Sequence, residues 1–239
     1  MATRPGFQRA RSPEHKEQRR DAILAAARKL GARDGVRSVS VTDIAAEVGI
    51  HKSAVLRYFE TREEIYLDLT AEGWRAWAAA LHDVLDGVPS ATADELAVAL
   101  SGTLAERPFF CELLSHASLN LERGVSKESV RAFKLTALDA VADIRALITR
   151  VRPRSDGMEL ISAVVAFAAS LWQVSHPPET LAQLYAEDPR LAHAVVDFRP
   201  RLELLTRAVI LGLARSGGDR EVGAGVAHDH EGAGEGQCG

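Results

Sequence analysis

Between Ser40 and Phe59 the chain has room for little except a short helix, a glycine turn and a second short helix. Ser40-Val41-Thr42-Asp43 is a capping-box pattern: the Ser40 hydroxyl can accept from the Asp43 amide while the Asp43 carboxylate reaches back. Ile44, Ala45 and Val48 then form a two-turn apolar face. Gly49 can adopt the left-handed conformation that ends a helix abruptly. The next helix is expected from about Lys52 to Phe59, with Val55 and Phe59 one turn apart on the inner face. Arg57 then points away from the core, Ser53 and Ala54 also point outward, and Leu56 and Tyr58 flank. A helix that carries cations and small or hydrogen-bonding residues outward suits close approach to base edges and phosphates in a major groove.

The flanking sequence supports that reading. From about His15 to Asp34 the pattern is helical, with Ile23, Ala27 and Leu30 on one face and Gly35 as the stop. This gives three helices in all. Charge is divided along the chain: residues 1–60 hold 12 Lys+Arg against 7 Asp+Glu, a balance of +5, and the remainder carries −9. A basic head on an acidic body points to a polyanionic partner at one end only. A nonspecific nucleoid protein would be basic throughout.

"VTDIAAEVGIHKSAVLRYFETREEI" resembles the DNA-binding segment of the TetR family of bacterial repressors, and the resembling signature covers roughly residues 20–66. The segments "FFCELLSHASLNLE" and "LYAEDPRLAHAVVDFRPRL" resemble an actinobacterial-type subgroup of its C-terminal domain. The sequence departs from the family pattern in three places. His51 opens the recognition helix where Ser or Thr is usual. Leu56 stands where a tyrosine is usual. Gly31 replaces a phenylalanine and removes an aromatic from the three-helix core.

The resemblance implies an all-α fold, in which an N-terminal three-helix helix-turn-helix domain precedes a larger helical ligand-binding and dimerisation domain. The expected divisions are a flexible basic arm at 1–14, the DNA-binding domain at 15–61, the larger domain at 62–215 and a disordered glycine-rich tail at 216–239. Expected base-edge contacts are Lys52, Ser53, Ala54 and Arg57, with phosphate contacts from Thr42, Tyr58 and Arg62. The partner would be a near-palindromic double-stranded operator.

After Arg62 no alternating strand pattern occurs. Breaks at Asp86–Pro89, Arg107-Pro108, Pro153 and Pro177-Pro178 divide the chain into helices at about 62–85, 92–106, 108–122, 126–150, 156–175, 179–187 and 189–215. Pro200 could split or kink the last. Helices 156–175 and 189–215 are expected to pair across a two-fold axis, as family members do in a four-helix bundle. A pocket of few convergent polar groups among apolar ones is expected from Trp77, Phe110, His116, Asn120, Phe133 and Phe167, suited to an unknown small apolar or amphipathic effector. The functional expectation is therefore a homodimeric repressor released from its operator by such a ligand. The alternative is a ligand-independent regulator or activator of the same fold.

Other classes find no support in the sequence. It has no Glu-x-x-His pair, phosphate-binding glycine loop or Cys/His nucleophile context, so no enzyme is expected. His228-Asp229-His230 lacks a third fixed ligand, and neither metal nor cofactor is expected. Cys111 and Cys238 suit no disulfide framework, which fits a cytoplasmic location. The longest unbroken apolar run, Ala163–Ala169, is far shorter than a membrane span needs.

Overall fold

A computed structural model describes residues 13–117, 121–153 and 155–225, and the side chains of these apart from 13, 192 and 216–225. The expected arm falls largely outside the described residues, as do Asn120, the tail from 226 onward and its His228, Asp229, His230 and Cys238. Ten α-helices occur in the order α1 Pro13–Asp34, α2 Val41–Val48, α3 Lys52–Val55, α4 Arg62–Leu85, α5 Ala93–Ala105, α6 Pro108–His116, α7 Lys127–Val151, α8 Gly157–Ser175, α9 Glu179–Glu187 and α10 Phe198–Gly225. There is no strand among the described residues. The all-α architecture with an N-terminal helix-turn-helix follows the sequence reading.

The chain divides into two compact units, residues 1–73 with 108–136, and residues 74–107 with 137–239. In the first, α1 packs on α2, α2 on α3, and α6 on α1. Of the expected core, Ile23, Ala27, Leu30, Ile44, Ala45, Val55 and Phe59 are buried and Val48 is half-buried; Val36, Ile65 and Tyr66, not foreseen, are fully buried with them. The space left by Gly31 is filled from α6. A Cβ on Gly31 would stand 2.8 Å from Phe109 Cε2 and 3.2 Å from Tyr66 Cε1. The neighbouring Phe110 ring rests on Gly73 of α4, where a Cβ would meet Cδ2 at 2.1 Å. Two successive aromatic side chains of α6 therefore sit in two glycine notches.

In the second unit, α10 packs against both α5 and α8. Leu96, Leu100 and Leu104 of α5 are fully buried, as are Leu202, Thr206 and Ile210 of α10 and Leu160, Val164 and Ala168 of α8. Caps fix the starts: Thr92 and Glu95 form a reciprocal box before α5, and Asp156 accepts from the Met158 and Glu159 amides at α8. Trp77 is fully buried, and its Nε1 donates to Thr103 Oγ1 at 3.0 Å. By length and composition α8 could cross a membrane (mean hydropathy 1.5), because its alanines raise the average beyond what the short unbroken run suggests. It carries Glu159 in its first turn and packs one side on α10.

Three boundaries differ from expectation. Regular α-helix in α3 ends at Val55, not Phe59. Beyond it the chain tightens into turns through Tyr58 N to Val55 O (2.9 Å), held because Val55 and Phe59 are both anchored in the core. Helix α6 ends at His116, not 122. Glu122 N reaches back five residues to Ala117 O, a wider turn that leaves Ala117 and Leu121 both buried. The 189–215 segment is two elements, a 3-10 helix at Pro189–Ala194 and then α10, which runs on to Gly225 and takes in the first ten residues of the expected disordered tail. Pro200 lies in the first turn of α10, where a missing amide costs no helical bond, so it neither splits nor kinks the helix.

Candidate nucleic-acid interface

The turn between α2 and α3 is built from local chemistry. Ser40 Oγ accepts from Asp43 N at 3.3 Å, and Asp43 Oδ2 accepts from Ser40 N at 2.8 Å. The Ser40 hydroxyl also donates to Asp43 Oδ2 at 2.6 Å, and this bond first, then that from the Ser40 amide, holds the Asp43 carboxyl below its usual range. At the other end Gly49 has φ 73°, and the Gly49 and Ile50 amides return to the carbonyls of Ala46 and Ala45. Two of the four orphan carbonyls are thereby satisfied, and the chain is turned directly into α3.

His51 occupies the place where a hydroxyl residue would cap α3, and it performs that task. Its Nδ1 accepts from the Ser53 amide at 3.3 Å and lies 2.9 Å from Ser53 Oγ. A ring nitrogen that accepts from an amide leaves its proton on Nε2, so the Ser53 hydroxyl donates to Nδ1 as well. Ser53 therefore presents its lone pairs outward. Lys52, Ser53 and Arg57 are exposed and Ala54 and Tyr58 half-buried, over the buried pair Val55 and Phe59. Leu56, in the place of a tyrosine, is 42% exposed. Thr42 is exposed in the first turn of α2.

Ala54, Arg57 and Tyr58 line one wall of a groove of about 880 Å³ whose other wall is His15, Lys16, Gln18, Arg19 and Ala22 of α1. Lys16 and Arg19 were missed in the sequence reading. Their signal was present: they lie three residues apart, one helical turn, on the line of Ile23, Ala27 and Leu30, so cations take over the stripe in the exposed turns that precede the first buried residue of α1. Neither they nor Lys52 and Arg57 have a carboxylate partner among the described residues. Arg20, next in sequence, is instead paired with Asp68 and lies over the Phe59 ring.

Arg62 is turned inward. Its Nη1 donates to Val36 O at 2.6 Å and to Val39 O at 3.2 Å, Nη2 pairs with Glu63 at 3.0 Å, and the guanidinium lies over the Tyr66 ring. The carbonyls of the α1–α2 loop need donors, and Arg62 supplies them. A phosphate contact would require it to leave both. Tyr66 beneath it is fully buried, and burial pushes its hydroxyl up to about 12.

The residues expected around an effector do not gather in one unit. Phe110, His116 and Phe133 are buried in the first; Trp77 and the half-buried Phe167 belong to the second. His116 opens onto a polar cavity lined by Val36, Arg37, Arg62, Glu63, Leu121 and Arg123, not onto an aromatic one.

Residues 23–69 match the model of "bacterial regulatory proteins, tetR family", and residues 71–216 match that of "tetracyclin repressor-like, C-terminal domain". No curated protein matches the sequence. Among solved structures, a TetR-family transcriptional regulator of Mesorhizobium loti has a TM-score of 0.52 at 14% identity, covering 84% of this chain and 97% of that one. A tetR-family transcription regulator of a Shewanella species gives 0.50 at 16% identity over 80% and 97%. The multidrug binding protein EbrR, complexed with proflavin, gives 0.50 at 19% identity over 82% and 99%. At these identities the likeness is one of fold.

Proposed function

Because the chain belongs to the TetR family of bacterial regulatory proteins, and is thus a DNA-binding transcriptional regulator and not an enzyme, we propose that it is a cytoplasmic homodimeric repressor of a near-palindromic operator. The observation that carries this reading is the capped, glycine-turned α3 with Lys52, Ser53 and Arg57 outward and Val55 and Phe59 in the core. Lys52, Ser53, Ala54 and Arg57 read base edges, Arg57 as a bidentate donor to guanine. Thr42 and Tyr58 meet phosphates, joined by Lys16 and Arg19 across the groove. Arg62 holds the loop that sets the angle of α2.

Dimer formation is supported by an uncovered surface on the second unit. Only 28% of the apolar window of α8 is buried, and Ser162, Ala166 and Ser170 repeat every fourth residue on its exposed side. Helix α10 exposes Leu204, Ala208 and Leu211 at helical spacing. Small residues on one helix and leucines on the next suit close helix pairing across a two-fold axis, the arrangement a palindromic site requires. A small apolar or amphipathic effector would release the operator by binding one of two protein states more tightly than the other.

The test is selection of DNA from a random pool by the purified protein, followed by operator release with a panel of apolar and amphipathic compounds. An inverted repeat with half-site centres about one duplex turn, ~34 Å, or modestly more apart is expected. Recovery of asymmetric or random sequence overturns the reading.

A further inference from the structure

The first unit holds a second cavity with a chemistry unlike that of the α1–α3 groove. It has about 290 Å³ and is lined by Arg37 from the α1–α2 loop, Arg62 and Glu63 from the first turn of α4, His116 at the end of α6, and Leu121 and Arg123 just beyond. We propose that this cavity binds a small free oxyanion, a phosphate or carboxylate group, held by Arg37, Arg123 and the His116 imidazole.

Charge is the first reason. Three guanidinium groups converge on one space with a single lining carboxylate, Glu63, and that one is paired with Arg62 at 3.0 Å. Glu112, one turn before His116, is committed to the Val36 amide at 2.7 Å. Arg37 and Arg123 have no carboxylate partner among the described residues. Like charges gathered around a recess repel one another unless an anion lies between them, and guanidinium forks match oxyanions in both charge and geometry.

The imidazole is the second reason. His116 is 93% buried by the complement of its 7% exposure, and it has no hydrogen-bond partner among the described residues. The ring lines the cavity, so an oxyanion there would give the imidazole a hydrogen-bond partner. Burial first, then Arg37 and Arg62, push His116 below its usual range. An anion reverses the electrostatic part of that effect. Size sets no obstacle: a cavity of about 290 Å³ admits a phosphate or an organic acid with its hydration water. A backbone phosphate of duplex DNA, carried on a wide rod, is a poor match for a ring so deeply set.

The inference does not depend on operator binding and is tested without an operator. Inorganic phosphate is titrated into the full-length protein by calorimetry, at constant ionic strength maintained with sodium chloride. Saturable binding on the order of millimolar or tighter is expected. The double variant Arg37→Ala/Arg123→Ala removes exposed side chains that hold nothing in the fold. It should melt as the wild type does in chloride and bind phosphate at least roughly tenfold more weakly. His116→Gln keeps a donor and should retain part of the affinity. In the wild type the midpoint of the His116 imidazole, followed by NMR, should rise on saturation. Absence of saturable binding, equal binding by the double variant, or an unmoved His116 midpoint overturns the proposal. Competition between phosphate and a nonspecific duplex, with the double variant losing duplex affinity for every sequence, would assign the cations to the DNA backbone and overturn it too.

Discussion

Phe109 and Gly31 fit as ring and notch: the Cε2 atom stands 2.8 Å from the place a Cβ on Gly31 would take. The aromatic absent from α1 is thus restored by a residue on another helix, distant in sequence. Gly31→Phe should overpack the site and cost about 1–3 kcal/mol. Phe109→Ala should leave a void and cost about 2–4 kcal/mol, at the lower end for a half-buried phenylalanine. Combined, the two changes should be markedly less harmful than their sum, by about 1 kcal/mol or more in a double-mutant cycle from urea unfolding. Strict additivity would mean that the two positions do not share the space.

Gly73 is the tighter notch. A Cβ there would approach Phe110 Cδ2 to 2.1 Å, with Cγ also inside 3 Å at 2.9 Å, so the whole ring must move. Gly73→Ala should lower the melting temperature more than Gly31→Ala, despite the gain in helix propensity of about 1 kcal/mol at either site. Scanning calorimetry of the two variants orders them.

The boundaries of α2, α4, α5 and α9 were legible because they are written locally, in capping boxes, glycines and prolines. What could not be read was tertiary. No periodicity shows that Phe109 fills the space at Gly31, or that Arg62 is drawn inward by two loop carbonyls. The early end of regular helix in α3 has the same origin: Val55 and Phe59 are fixed by the core, and the turn between them adjusts to those anchors. Lys16 and Arg19 were a different case, since the change from apolar to cationic residues along one stripe of α1 was enough to find them.

DNA recognition divides by position. Arg57→Ala should cost roughly 1–3 kcal/mol and relax discrimination at one or two positions per half-site. Lys16→Ala and Arg19→Ala should weaken all sequences alike, because phosphate contacts carry little sequence information. Sequencing of DNA selected by each variant checks both. An unchanged motif with Arg57→Ala would remove it from the base-reading set.

Assembly is tested on residues that face outward. Leu204→Arg and Leu211→Arg place charge on the exposed side of α10 and should yield folded monomers with poor operator binding. Light scattering with circular dichroism reads both properties. Val164 is fully buried within its own unit, so Val164→Arg should unfold the protein and say nothing of pairing.

His116 should leave a mark on acid stability. Its folded-state value is depressed below the ordinary 6.5, so the unfolded chain binds more protons in that range. Stability is therefore retained above about pH 6.5 and is lost as pH falls, until His116 protonates in the folded state too. His116→Gln should flatten this part of the profile, as measured by urea unfolding between about pH 7.5 and 5.5.

The pairing of cations inside the head determines how the protein counts phosphates. Arg20, Arg28, Lys29, Arg33 and Arg62 each already hold a carboxylate. Such a cation displaces no condensed sodium or potassium from DNA unless its ion pair first opens. Among the described residues, Lys16, Arg19, Lys52 and Arg57 are unpaired cations of the proposed DNA face, and their arrival sets counterions free. The logarithmic loss of affinity with salt, about −0.9 per phosphate neutralised, should follow those residues and not the formal charge of the head. Opening the Lys29–Glu47 pair with Glu47→Gln should then steepen the salt dependence only if Lys29 reaches the backbone.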